Sequence, residues 1–196
     1  MNNIKLKLLS AITISLSAFS SPAFAEEPNK GIYTNFGIGG GRVTDIDFGY
    51  LGTLGFEVGI ETEVGIGYAF GERYRAELNY GINGSDFENT TTSAGYVDLC
   101  MQTISLNEHF DFPNESKFTP FVGLGIGSTF VEVSGGDDTT LSLSFAIGGA
   151  YKISESFDLV GKLTHRRFGE LDLGLVTIED ASVNSGVVGV RWRFRP

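Results

Sequence analysis

The sequence predicts an all-β fold, one antiparallel up-and-down barrel of eight strands, and three observations carry the prediction. Apolar or aromatic residues recur at alternate positions through eight segments, the spacing of a strand whose successive side chains point to opposite faces. Glycine is abundant at 27 residues and aromatics reach 12%, against only 19% charged residues, a balance that suits strands better than helices. The segments are joined alternately by short turns and longer polar stretches.

Residues 1–25 precede the barrel and read as a cleaved signal peptide. Lys5 and Lys7 form a basic start, Leu8 to Phe19 an apolar stretch too short to span a bilayer, and Ala23-Phe24-Ala25 a small-x-small site that places cleavage between Ala25 and Glu26. Residues 26–196 form a single barrel domain, with no second long apolar run and hence no membrane helix.

The first segment alternates Ile32, Phe36 and Ile38 with Tyr33, Asn35, Gly37 and Gly39. The second, starting near Phe56, sets Val64, Ile66, Tyr68 and Phe70 against Glu61, Glu63, Gly65 and Gly67; Gly71-Glu72 is a tight turn. The third returns with Tyr74, Ala76, Leu78, Tyr80 and Ile82 opposite Arg73, Arg75, Glu77 and Asn79. The fourth, about 96 to 112, is irregular. Ile104, Leu106, Phe110 and Phe112 share a face into which Glu108 intrudes, and Leu99 and Met101 have the opposite parity, so a bulge is expected near Cys100 to Thr103. The cheapest position for Glu108 is near the headgroups, where charge costs least.

After Pro113-Asn114-Glu115-Ser116, the fifth segment runs from Phe118 to about Phe130, opposing Val122, Leu124 and Ile126 to Gly123, Gly125 and Gly127. The sixth alternates Leu141, Leu143, Phe145, Ile147 and Tyr151 with Ser142, Ser144, Ala146 and Gly148, ending at the turn Ser154-Glu155-Ser156. The seventh sets Phe157, Leu159 and Leu163 against Asp158, Lys162, Thr164 and Arg166; the eighth sets Val188, Val190, Trp192 and Phe194 against Val187, Gly189, Arg191 and Arg193. Short turns follow Phe70, Phe112 and Ile153, whereas connections at roughly 41–55, 83–95, 131–139 and 169–180 read as long loops.

The two faces decide the environment. Glu63, Arg75, Glu77, Lys162, Arg166 and Arg191 share one face, too many ions for the dry core of a water-soluble barrel, while the other face is almost purely apolar. Turning the apolar face to lipid and closing the sheet satisfies both. Tyr68, Phe70, Phe110, Phe112, Tyr151, Trp192 and Phe194 gather at the short-turn ends as an interfacial girdle, which predicts an outer-membrane barrel with both termini periplasmic. A soluble lipocalin-like barrel is the competing fold.

Gly65-Ile66-Gly67-Tyr68-Ala69-Phe70 with Arg75-Ala76-Glu77-Leu78-Asn79-Tyr80, the run Thr119 to Gly127, and the closing Val188-Gly189-Val190-Arg191-Trp192-Arg193-Phe194 resemble the small outer-membrane β-barrel domain family, often labelled porins, of opacity-type proteins and the transmembrane domain of OmpA-like proteins. The resemblance implies insertion by the outer-membrane assembly machinery, which would read Val190, Trp192 and Phe194 as its C-terminal signal; here Arg195 and Pro196 follow. No peptidoglycan-binding domain follows, so an anchoring role is not expected.

For function, the formal charge of −10 excludes nucleic acid as a partner. Cys100 stands alone, so no internal disulfide is possible, and it reads as an apolar filler. An eight-stranded interior holds little beyond side chains. The six ions named above are therefore expected to neutralise one another in a plugged lumen, with a narrow water or ion path as the alternative. Outer-membrane lipids, lipopolysaccharide and an extracellular loop ligand are the expected partners. Asp45, Asp47, Asp86, Glu88, Asp137, Asp138, Glu170, Asp172, Glu179 and Asp180 would make an acidic outer rim, without a regular calcium-ligand spacing. No catalytic set, cofactor site or metal site is expected. His165, lipid-facing beside Arg167, keeps a lipid A-modifying enzyme as a remote alternative, whereas His109 is expected inward and hydrogen-bonded.

Overall fold

The computed structural model describes residues 30–44, 46–47, 53–55, 57–86, 98–133, 136–172, 177–178 and 181–194. The signal segment with Ala25 and Glu26, the Arg195-Pro196 tail, and the rim residues Asp45, Glu88, Glu179 and Asp180 lie outside them.

In chain order the strands are β1 (Gly31–Val43), β2 (Ile46–Asp47), β3 (Thr53–Leu54), β4 (Gly59–Ala69), β5 (Tyr74–Asp86), β6 (Asp98–Asp111), β7 (Phe118–Val133), β8 (Gly136–Lys152), β9 (Phe157–Phe168), β10 (Leu171–Asp172), β11 (Thr177–Ile178) and β12 (Ser182–Arg193). Eight of these close an antiparallel barrel in the order β1-β12-β9-β8-β7-β6-β5-β4, while β2-β3 and β10-β11 are two-residue ladders in the connections. Closure gives every barrel strand two neighbours and leaves no edge along the wall.

Period two carries straight into burial. On β4, Glu61, Gly65 and Gly67 are buried while Ile60, Val64 and Ile66 are exposed, and the other barrel strands repeat the alternation. The exposed wall is therefore apolar, with Phe36 54%, Leu124 67% and Val188 63% accessible. Outward-facing partners form one continuous row, Ile32–Tyr68–Ala76–Glu108–Leu124–Phe145–His165–Asn184–Arg42, which returns to β1 ten residues beyond its start. That stagger over eight strands corresponds to a strand tilt of roughly 40°.

At the turn end, Gly71 has φ 142°, a conformation that side chains with a Cβ rarely adopt, and it lets the chain reverse between β4 and β5. Two expectations are corrected at the opposite, loop end. The stretch 131–139 is no long loop: β7 and β8 stay paired through Val131↔Asp138, Glu132↔Asp137 and Val133↔Gly136, leaving only residues 134 and 135 between them. Nor is β6 bulged, since its pairing with β5 runs without a break from Leu99 to Phe110. Leu99 and Met101 simply face inward, buried at 5% and 4%, because the interior at that end takes apolar as well as polar side chains.

Candidate functional site in the barrel interior

The acids Glu61, Glu63, Glu77, Asp111 and Asp158 and the bases Arg75, Lys162, Arg166, Arg191 and Arg193 line the interior, and half-buried Asp138 lies on the same face at the loop end. Near the turn end Arg75 makes a bidentate pair with Asp111, Nε to Oδ2 at 2.6 Å and Nη2 to Oδ1 at 2.8 Å. Its guanidinium lies over the rings of Phe121, at 5.2 Å, and Tyr33, at 5.6 Å; Arg191 approaches Tyr33 at 5.4 Å. The Tyr33 hydroxyl donates to Glu77 Oε2 at 3.1 Å and accepts from Arg75 at 3.2 Å. Asp158, 1% exposed, faces both Arg191, at 3.5 Å, and Arg193.

Midway along the lumen, Lys162 Nζ donates to Glu63 at 2.8 Å. Arg166 stands 3.7 Å from Glu61, which also accepts from Asn83 at 3.5 Å. Thr103, Thr129 and Ser142 link β6, β7 and β8 by hydroxyl bonds of 2.9 and 3.1 Å. Beyond them, at the loop end, apolar side chains join the interior: Val43, Leu99, Met101, Val131, Phe168 and Val183 are all at most 5% exposed, among buried Ser85, Thr140 and Ser182.

The large side chains fit because glycine stands opposite them. Tyr33 pairs with Gly67, where a Cβ would lie 2.3 Å from the ring, and Asn107 pairs with Gly125, where a Cβ would lie 2.1 Å from Oδ1. Among the described residues, the lumen holds cavities of about 20 Å³, two of them bordering the Glu63–Lys162 pair and each the size of one water molecule. Glu63, His109 and Lys162 line both.

All six sequence-proposed lumen ions, Glu63, Arg75, Glu77, Lys162, Arg166 and Arg191, point inward, but only Glu63 and Lys162 form a salt bridge within that set. The other three salt-bridged partners are Asp111, Asp158 and Glu61. Asp158 and Glu61 lie on the polar faces read from the sequence, while Asp111 closes β6, where an acid looks like part of a turn. His109 is buried and inward, but its Nδ1 has no hydrogen-bond partner, and the ring instead meets Phe121 edge-on at 5.5 Å.

On the outer wall, His165 is exposed with Nδ1 2.9 Å from Asn184 Oδ1. Glu108 is exposed between Ala76 and Leu124, four residues along β6 from Phe112. At the strand tilt that is roughly 10 Å along the barrel axis from the aromatic ring level, well inside the apolar band and not beside the headgroups. Val190, Trp192 and Phe194 share the outer wall, with Trp192 stacked on Phe157 at 5.8 Å.

An apolar exterior around a charged, side-chain-filled interior defines a transmembrane β-barrel protein. The chain belongs to the outer membrane protein beta-barrel domain family, whose model matches residues 11–194, and is thus an integral outer-membrane protein of a Gram-negative envelope. No curated protein matches it. Among solved structures it is similar to neisserial surface protein A (18% identity, TM-score 0.64, covering 84% of this chain and 97% of that one). It is also similar to the outer membrane protein OprG from Pseudomonas aeruginosa (14%, TM-score 0.53, 88% and 100%) and to outer membrane protein AlkL in lipid bilayers (14%, TM-score 0.54, 90% and 96%). At these identities the likeness is one of fold.

Proposed function

We propose that the protein is a non-enzymatic outer-membrane scaffold with a closed lumen, which presents its longer connections to the exterior in a structural or surface-interaction role. The observation that carries this reading is that the lumen ions are held by one another, Glu63 by Lys162, Glu61 by Arg166, Asp111 by Arg75, and Asp158 by Arg191 and Arg193. A conducting path needs polar groups free to hold ions; here they hold one another. On the usual arrangement of such barrels, the short turns and both chain ends are periplasmic and the loop end is extracellular. By family resemblance, the outward Val190, Trp192 and Phe194 serve as the signal for the assembly machinery.

Planar-bilayer recording of the purified protein tests this: no discrete conductance steps are expected, and large, stable steps overturn it. The two water-sized cavities on either side of the Glu63–Lys162 pair favour a second reading, a narrow water path. Osmotic swelling of protein-loaded vesicles, faster than that of protein-free vesicles, would select it.

A further inference from the structure

We propose that the outer wall around Glu108 is the seam of a homodimer, in which a two-fold axis along the membrane normal brings the Glu108 carboxyls of two copies together inside the bilayer. Glu108 projects from β6 among apolar neighbours: Ala76 on β5 and Leu124 on β7 lie beside it in the row, and Leu106 and Phe110 flank it along the strand on the same face. None of the hydrogen bonds or ion pairs among the described residues involves it. A carboxyl left alone in hydrocarbon loses its hydrogen bonds to water and gains none in return.

The wall is hollowed on one side of Glu108 and raised on the other. Ala76 contributes only a methyl, and an open hollow of about 300 Å³ lies there, bounded by Ile32, Ile66, Tyr68, Ala76, Leu78 and Leu106. On the β7 side Leu124 stands 67% exposed. A two-fold axis over Glu108 turns the β7 side of each copy onto the β5 side of the other, so each raised edge faces the opposite hollow. Such an interface is self-complementary and closes at two copies.

Depth identifies the partner. Copies inserted in the same direction hold each residue at the same level, so Glu108 always finds its own counterpart at its own depth, roughly 10 Å from the aromatic level. No cation of the chain competes: among the described residues, those outside the lumen lie at the loop end (Arg42, Arg167) or the turn end (Lys30, Arg73, Lys117, Lys152). His165 shares the row of Glu108, but the row climbs with the strand tilt, which sets it about 9 Å nearer the loop end. A protonated carboxyl is donor and acceptor at once, so one carboxyl donates to the other and no second residue type is needed. Polar side chains join membrane helices in the same way.

The test folds the full chain, carrying Cys100→Ser and Asp137→Cys, into phosphatidylcholine vesicles with a donor or an acceptor dye at position 137. Energy transfer between copies is followed as lipid dilutes the protein, and it is expected to exceed that of random mixing. Glu108→Leu should weaken association at least tenfold, and Ala76→Phe at least fivefold by filling the hollow. Glu108→Gln, whose amide both donates and accepts, should stay within threefold. Val188→Ala on β12, diametrically opposite β6, should change nothing. At the highest dilution, where single copies prevail, Glu108→Leu should unfold at no lower urea concentration than the parent chain, so lost transfer is not lost folding. Transfer no greater than random mixing leaves lipid in the hollow and overturns the seam, as does association that survives Glu108→Leu or falls equally in the Val188 variant. In cells, oxidation of Glu108→Cys in the Cys100→Ser background should link two copies of this chain; a link to a different protein overturns the second copy as the occupant.

Discussion

Lys162 on β9 and Glu63 on β4 meet at 2.8 Å across the lumen, although β12 and β1 separate their strands in the barrel. The pair borders both internal cavities, and neither side chain is more than 13% exposed. Lys162→Met strands a buried carboxylate and is expected to destabilise the barrel by about 3 kcal/mol, whereas adding Glu63→Leu should recover most of the loss. Urea unfolding in vesicles, followed by Trp192 fluorescence, measures both. A double variant no better than the single one would refute the coupling.

Glycine placement gives the second prediction. Gly67→Ala forces a Cβ into the Tyr33 ring and should destabilise by about 2 kcal/mol, as overpacking does. Gly161→Ala meets nothing within 4 Å and should be neutral or stabilising by about 0.5 kcal/mol. Similar unfolding midpoints for the two variants would contradict the interlocking of the lumen.

Glu108 supplies the third. Its carboxyl faces lipid roughly 10 Å from the aromatic level, so Glu108→Leu should stabilise the barrel by about 1–2 kcal/mol in bilayers. A loss of stability would mean the carboxyl has a partner within the membrane.

Phe194→Ala tests the assembly signal. The amount of folded protein in outer membranes should fall several-fold, while spontaneous folding into vesicles changes by about 1 kcal/mol or less. Equal deficits in cells and vesicles would make Phe194 a stability residue only.

The alternation of Val64, Ile66 and Tyr68 with Gly65 and Gly67 made the strands and their two faces legible, because period two is a property of single strands. The length of the β7–β8 hairpin was not legible, since Asp137 and Asp138 suit a projecting ladder as well as a loop. Leu99 and Met101 were misread because alternation separates two faces without saying which one receives an apolar residue. Among the salt bridges, only the Glu63–Lys162 pairing lay within the set proposed from sequence. Glu61 reaches Arg166 only through barrel closure, which no local pattern encodes, whereas Asp111 and Asp158 meet their bases across neighbouring strands whose register alternation leaves open.

The interlocked charges also constrain how such a barrel can change over generations. Removing one member of the Glu63–Lys162 or Arg75–Asp111 pair leaves a buried orphan, so a route from plug to pore passes through less stable ancestors unless both partners change together. The interior of such a barrel is therefore expected to drift in matched pairs.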